Sequence, residues 1–403
     1  MERREMRASV GRLEDVLRGV DEQYDEFKQN LVGLARIPGV SAEGFPREEV
    51  RRSAEAFADL LRRVGLQNVQ VLEVPGVHPY VYGDWLGRPR AQTLLLYGHH
   101  DVVPPGRPEQ WRSPAFEPVE RQGRLYGRGT ADDKGGILVH VAAVAAYLRK
   151  AGGPPCNVKF LIEGEEEIGS GNLGTFLERH KGMMSADAVV LSDTSNFDTG
   201  IPALTYRLRG LCQVDVEVRC LERPVHSGQK GGPIPDPVQI LCRLIADLRA
   251  EDGSLNVPGL YRRVAKTTAP QRARLRRLPF DARKFARSAG LLEGVELVGE
   301  KAYSVFERMW TRPSLTVIAF ESQPILALKA GFKREAAMIG AGGSIGFVRP
   351  FSDLLKGAPC LLTGVEDPAC GAHSENESLH LGDWKKCMRA AVHLYDELSR
   401  LGG

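Results

Sequence analysis

The sequence has no long apolar run, no C-x-x-C pair, no internal repeat and almost no surplus of charge. Each absence narrows what the chain is. Without a stretch of about twenty apolar residues there is no transmembrane helix. The opening segment MERREMRASVGRLEDVLRGV mixes acids with bases where a secretion signal carries an apolar core. A cytoplasmic protein that does not engage a membrane is therefore expected. Lys plus Arg (54) nearly equals Asp plus Glu (51), and a net charge of +3 is too small for a nucleic-acid footprint. The seven cysteines (Cys156, Cys212, Cys220, Cys242, Cys360, Cys370, Cys387) are an odd set without metal-site spacing. That excludes a disulfide framework and a thiolate zinc site, and leaves reduced, mostly packing residues. Hydrophobic residues (42%) and charged residues (26%) stand near globular averages, so disorder is excluded too.

What is present is a chain of 403 residues, long enough that two domains are expected. Glu49 to Val64 places apolar side chains at helical spacing, and Gln92 to Tyr97 is a short apolar run fit for a buried strand. Lys134 to Arg149 reads as an apolar helix, with Val158 to Ile162 and Ala186 to Leu191 as further buried strands. Strands alternating with helices imply an α/β fold, a mostly parallel sheet with helices on both faces. After about Gly200 the pattern changes. Gln213 to Arg219 alternates as an antiparallel strand with one wet face would, Pro237 to Leu248 reads as a helix and Ser314 to Phe320 as another strand. The arginine-rich stretch from Gln271 to Arg287 reads either as a solvated helix or as an anionic-ligand patch. Buried-strand patterns return over Ala336 to Val348 and Ala358 to Val365, and Asp383 to Leu398 closes with an amphipathic helix. The expected organisation is a catalytic domain over 1–203 and 323–403, interrupted by a smaller α+β domain over 204–322.

Five turns carry chemistry. LLLYGHHDVVP delivers His99, His100 and Asp101 from a strand into a turn. Imidazole is a good zinc ligand, and a carboxylate two residues on can take its other ring N–H. Taken alone, a histidine there is more often a hydrogen-bonded loop residue. GRGTADDKGG places Asp132 and Asp133 at a helix start, where acids serve equally as caps. FLIEGEEEIGSG sets three glutamates just past a buried strand, a run that repels itself and loses solvation unless a cation neutralises it. VVLSDTSN ends a strand on Asp193, and CGAHSENES holds His373. Nitrogen and oxygen donors without thiolates suit zinc first, with cobalt or manganese as substitutes. Two such ions about 3.5–4 Å apart would polarise a carbonyl and activate water.

In order, the chain shows GHHDVVP, WRSPAF, GRGTADDKG, EGEEEIGS, LSD, VHSG, GGSI and HSENE between residues 98 and 377. This set resembles the di-zinc exopeptidase family of carnosinases and cytosolic non-specific dipeptidases, carboxypeptidase G, acetylornithine deacetylase and succinyl-diaminopimelate desuccinylase. The carnosinase-like branch is the best match. The resemblance implies two zinc ions, with His99 and Asp193 on one, Glu167 and His373 on the other and Asp132 bridging. It implies Glu166 as general base, Asp101 as the residue orienting His99, Glu165 as an outer residue, and a cis peptide between Asp132 and Asp133. It further implies that His226 reaches into a partner's site across a homodimer built on the lid domain, and that Gly342, Gly343 and Ser344 contact substrate. The implied activity is amide hydrolysis in dipeptides or short peptides. The alternatives are a deacylase of N-acyl amino acids and a metal-binding protein with little activity. The sequence departs from the family in its lid, where TRPSLTVIAFES runs almost directly into QPILALKAGFKRE. A strand, a helix and a strand are missing there, along with an R-x-x-P arginine. Gly340 and Ala341 stand where the branch has Arg-Glu. Both losses remove charge that would clamp a substrate carboxylate.

Overall fold

The computed structural model describes residues 2–210, 212–222, 232–318, 320, 360–362, 365, 369–371 and 376–400, apart from the side chains of 2–11, 360–362 and 397–400. In chain order the first elements are α1 (Glu2–Glu22), α2 (Tyr24–Ala35), α3 (Arg47–Val64), β1 (Gln67–Leu72), β2 (Tyr80–Trp85), β3 (Thr93–His99), β4 (Val119–Arg121) and β5 (Arg124–Tyr126). There follow α4 (Lys134–Ala151), β6 (Asn157–Glu163), α5 (Leu173–Arg179), α6 (Lys181–Met184) and β7 (Ala188–Leu191). The rest are α7 (Pro237–Asp247), α8 (Ala269–Arg277), α9 (Ala282–Ser288), α10 (Val305–Trp310), β8 (Cys360–Leu362), β9 (Ser378–His380) and α11 (Leu381–Arg400). The chain divides into two compact units, Met1–Tyr206 with Ile345–Gly403, and Arg207–Ser344. The second junction lies outside the described residues.

The first unit is built on a six-stranded sheet in the order β1-β2-β6-β3-β7-β8. Strands β6, β3, β7 and β8 are mutually parallel, and only β2 runs against the rest. The mostly parallel sheet expected from the sequence is there, with helices on both sides. Its central strands are apolar without alternation, because both faces are covered: every residue of β6 is buried, as are Leu94 to His99 of β3. Helix α4 is apolar all round, and a helix of that kind belongs inside a protein. Its residues from Lys134 to Tyr147 are all buried. Helix α3 shows the opposite design. Glu48 and Glu49 stand in its first turn and Arg62 and Arg63 in its last, each complementing the helix dipole. Gly65 ends it at φ 103°, in the left-handed region where glycine carries no Cβ penalty. A small antiparallel sheet, β4-β5-β9, brings the end of the chain beside the loop that precedes α4.

Among the described residues of the second unit the regular elements are helices joined by long irregular segments, with one isolated bridge between Arg249 and Leu255. Its helices are capped from the sequence. Asp236 accepts the N–H of Val238 (2.8 Å), while Thr268 with Gln271 and Ser304 with Glu307 form capping boxes. Gln213 to Arg219, expected as a strand, forms none, and neither do the described residues of 314–320. Alternation specifies a face, whereas a strand also needs a ladder for its N–H and C=O groups, and neither segment finds one among the described residues. The arginine-rich stretch breaks into α8 and α9 around Pro279, and Arg274, Arg276, Arg277, Arg283 and Arg287 are exposed as solvated residues would be. Of the described cysteines all are free. Cys156 and Cys370 are packing residues, but Cys212 and Cys242 are exposed, against expectation. Among the described residues no helix is long and apolar enough to cross a membrane.

Candidate metal centre

Parallel strands gather their following turns at one sheet edge, and four acidic turns meet there. His99 is the last residue of β3 and pairs in register with Glu163 at the end of β6. The turn holding Glu166 and Glu167 follows β6, Asp193 follows β7, and Asp132 stands just before α4. The His99 ring reaches three of these residues. Its Nε2 lies 2.9 Å from Asp132 Oδ1 and 3.9 Å from both Glu166 Oε2 and Asp193 Oδ2. Two triplets have ligand atoms mutually within 4.8 Å, His99 with Asp132 and Glu167, and His99 with Glu166 and Asp193.

Asp101 sits behind the ring, fully buried. The group closest to His99 Nδ1 is the backbone carbonyl of Asp101 (3.1 Å), with its carboxylate at 3.5 Å. That carboxylate also accepts the backbone N–H of Glu166 (3.3 Å) and of Glu167 (3.1 Å). One residue thus orients the imidazole and fastens the glutamate turn. The peptide between Asp132 and Asp133 is cis. Asp133 Oδ2 accepts the N–H of His99 (3.3 Å), and its Oδ1 has no hydrogen-bond partner.

The electrostatics suit a cation. Burial and the neighbouring Asp132 carboxylate push Glu167 well above its ordinary range, and burial with Asp193 does the same to Asp133. Burial alone would strip the proton from His99, yet hydrogen bonds to Asp101 and Asp132 outweigh it and raise its pKa well above the usual value. Burial pushes Asp101 up, but the hydrogen bond and charge of His99, with a hydrogen bond from Ser41, together outweigh it and hold the carboxyl low. Buried carboxylates that destabilise one another when ionised, with a neutral-capable imidazole among them, form the donor set that a borderline divalent ion neutralises. The residues fit a metal.

His373, His226, Gly342, Gly343 and Ser344 lie outside the described residues. Other residues of the site escaped the sequence reading. Glu163 is buried against the hydroxyls of Tyr97 (2.5 Å) and Tyr80 (3.4 Å), and burial pushes it to about 8. Glu377 accepts the N–H groups of Ala131 (3.1 Å) and Asp132 (3.3 Å) and pairs with Arg128. Its signal was the last letter of HSENE.

The chain matches the description "Peptidase family M20/M25/M40" over residues 95–397. It is 38% identical over 236 residues to a cysteinylglycine-S-conjugate dipeptidase of Corynebacterium striatum, covering 58% of this chain and 50% of that protein. It is 31% identical over 325 residues to the beta-Ala-His dipeptidase of Homo sapiens, covering 77% and 63%. The chain therefore spans between half and two thirds of the length of these relatives. Among solved structures, the dipeptidase Dug1p of Saccharomyces cerevisiae aligns with a TM-score of 0.75 at 21% identity, over 96% of this chain and 98% of that one. Human carnosine dipeptidase 1 aligns at 0.74 and 23%, over 96% and 99%. At these identities the structural likeness speaks for the fold alone. On a match that covers most of its length, the chain belongs to peptidase family M20/M25/M40.

Proposed function

We propose that the protein is a zinc-dependent dipeptidase whose centre holds two metal ions. His99 and Asp193 would hold one ion and Glu167 and His373 the other, with the Asp132 carboxylate available to both. The observation that carries this reading is the convergence of His99, Asp132, Glu166, Glu167 and Asp193 within ligand reach at the carboxyl ends of β3, β6 and β7. The names of the relatives, dipeptidases throughout the first matches, favour a dipeptide over an N-acyl amino acid.

When bound, the ions supply Lewis acidity, which polarises the substrate carbonyl and makes water acidic enough to ionise near neutral pH. The chain's own residues do the rest. Glu166, partly open to solvent, accepts the water's proton and hands it to the leaving amine. Asp101 keeps His99 in one ring orientation, through Nδ1, so that Nε2 faces Asp132 and would be available to a metal. His226 stabilises the oxyanion across a homodimer, and Gly342, Gly343 and Ser344 line the substrate. The inserted domain, taken over 204–322, is the lid. The exposed Val214 and Val216, with Ile240 and Leu244 on α7, offer the apolar surface that such a dimer would cover. A cytoplasmic location fits the absence of a membrane-crossing helix among the described residues.

The test combines metal analysis with a hydrolysis screen of dipeptides against N-acetyl and N-succinyl amino acids, with zinc, manganese or cobalt supplied. Two metal ions per chain and turnover of dipeptides are expected. Fewer than one ion after zinc reconstitution removes the two-metal centre, and turnover confined to N-acyl amino acids replaces dipeptidase with deacylase.

A further inference from the structure

Arg128 and Glu377 form an ion pair at 2.6 Å, and both side chains are closed off from solvent, 2% and 0% exposed. The metal-ligand set and the general base use neither. Glu377 divides its carboxylate between two tasks. Oε2 takes the Arg128 guanidinium, while Oε1 accepts the backbone N–H of Ala131 (3.1 Å) and of Asp132 (3.3 Å). The far end of Arg128 donates to the Pro104 carbonyl (3.1 Å), and its guanidinium faces the Trp111 ring at 5.5 Å. The preceding residue, Asn376, grips a second loop, accepting the Arg112 N–H (2.9 Å) and donating to the Gln110 carbonyl (2.8 Å).

A buried ion pair is a poor way to gain stability, because desolvation of both charges consumes most of the attraction and a well-packed apolar pair does as well or better. An apolar pair cannot accept the N–H of Asp132, however. The carboxylate of Asp132 lies 2.9 Å from His99 Nε2, so the angle at which its backbone is held decides whether the two groups meet. We propose that Glu377 is a positioning residue of the metal centre, fixing the backbone of Asp132 from behind while Arg128 fixes Glu377. This inference rests on the metal-centre reading above.

The test measures cobalt(II) affinity by competition with a chelator, the visible spectrum of the cobalt form, and the melting temperature of the metal-free protein. In Glu377→Gln the amide cannot face both the guanidinium and the two N–H groups as an acceptor. Cobalt affinity should fall about 10- to 100-fold, the usual cost of losing a partner that orients a ligand, with a changed spectrum. The double variant Glu377→Gln/Arg128→Met removes the guanidinium and frees the amide oxygen for Ala131 and Asp132. It should recover most of the affinity despite lacking both charges. Wild-type affinity and spectrum in Glu377→Gln overturn the proposal, whatever that variant does to the melting temperature. If Glu377→Gln does not fold, the double variant is compared with Glu377→Leu/Arg128→Met, which has no acceptor. The glutamine pair should bind cobalt at least about tenfold more tightly, and equal binding overturns the proposal. Wild-type protein that binds no cobalt defeats the metal-centre reading itself, a result separate from all of these.

Discussion

Replacing Gly136 with alanine sets two effects of opposite sign against each other. Gly136 stands in the first turn of α4, and a Cβ there would lie 1.9 Å from Asp133 Oδ1 and 2.6 Å from the backbone oxygen of Ser192. Alanine in a helix gains about 1 kcal/mol over glycine. Forcing a methyl into a packed site costs about 1–3 kcal/mol. The Ser192 oxygen belongs to the backbone just after β7 and has no rotamer by which to leave, so the helix must shift away from the sheet and the cost lies at the upper end. A net loss of about 1–2 kcal/mol follows, or about 2–8 °C in melting temperature for a unit of this size. Gly33 in α2 is the control, since a Cβ there meets nothing within 4 Å. With propensity acting alone, Gly33→Ala should gain about 0.4–1 kcal/mol. Thermal unfolding followed by far-ultraviolet circular dichroism compares the two. The same substitution should lower one melting temperature and raise the other. Gly136→Ala melting at or above wild type would refute the close approach of α4 to the turn bearing Asp193. Zinc affinity of Gly136→Ala should fall as well, because the displaced atoms adjoin Asp132 and Asp193.

Three further outcomes are expected. His140 is buried with its ring nitrogens facing the hydroxyls of Tyr395 and Ser192, and burial brings its pKa down to about 4 from an ordinary 6.5. The unfolded chain then binds a proton that the folded one refuses, so stability present above pH 6.5 is lost as pH falls toward 4, by about 3 kcal/mol at most. Urea unfolding of the chelated protein should show this slope in wild type and a shallower one in His140→Gln, where His100, also brought down to about 4 by burial, still contributes; identical slopes would refute the assignment. Glu166→Gln should reduce kcat about 10²- to 10⁴-fold with metal content unchanged. Metal lost in parallel, by elemental analysis, would exchange the roles of Glu166 and Glu167. Zinc at a hundredfold excess over its dissociation constant should stabilise the chelated protein by about 2.7 kcal/mol, a rise of about 5–11 °C, and an unmoved melting temperature would count against the centre.

The features legible in the sequence were those set by neighbours along the chain. His99, Asp132, Glu166, Glu167 and Asp193 each end a buried strand, follow one closely or precede a helix, and local pattern places all three kinds of position. Of the elements missed, which include the six-residue strands β1 and β2, two groups have a plain cause. Strands β4, β5 and β9 have three residues each, too few for a period of two to show. Helices α1 and α2 carry their apolar stripe in plain view, with Val16, Val20, Phe27 and Leu31 all fully buried, but no chemistry drew attention to them. The errors over Gln213 to Arg219 and the described part of Ser314 to Phe320 have one cause, that alternation describes a surface and leaves the partner unnamed. Asp101 and Glu377 show the same limit at the site. Asp101 holds backbone N–H groups more than sixty residues away, and Glu377 holds one across 245. No periodicity records such a bond.

The run Glu165-Glu166-Glu167 shows how folding gives identical residues distinct surroundings. In sequence the three are equivalent except by register. Glu165 turns inward, where Oε1 accepts the N–H of His78 (3.1 Å) and Oε2 the amide of Asn172 (3.0 Å), so its charge is taken up by hydrogen bonds. Glu166 and Glu167 occupy a single 3-10 turn, on which successive side chains diverge by about 120°. Asp101 grips both backbone N–H groups, so the turn cannot rotate to bring both carboxylates to one point. Glu167 groups with Asp132 and His99, and Glu166 with Asp193 and His99. Glu167 is pushed well above its ordinary range, a cost that a bound cation removes and that suits a ligand. Glu166 keeps 19% of its side chain open to solvent, which suits a group that must exchange protons in every turnover. Loosening that grip with Asp101→Asn should blur the division, lowering both metal affinity and kcat. Loss of only one of the two would mean that the turn is held by its own backbone rather than by Asp101.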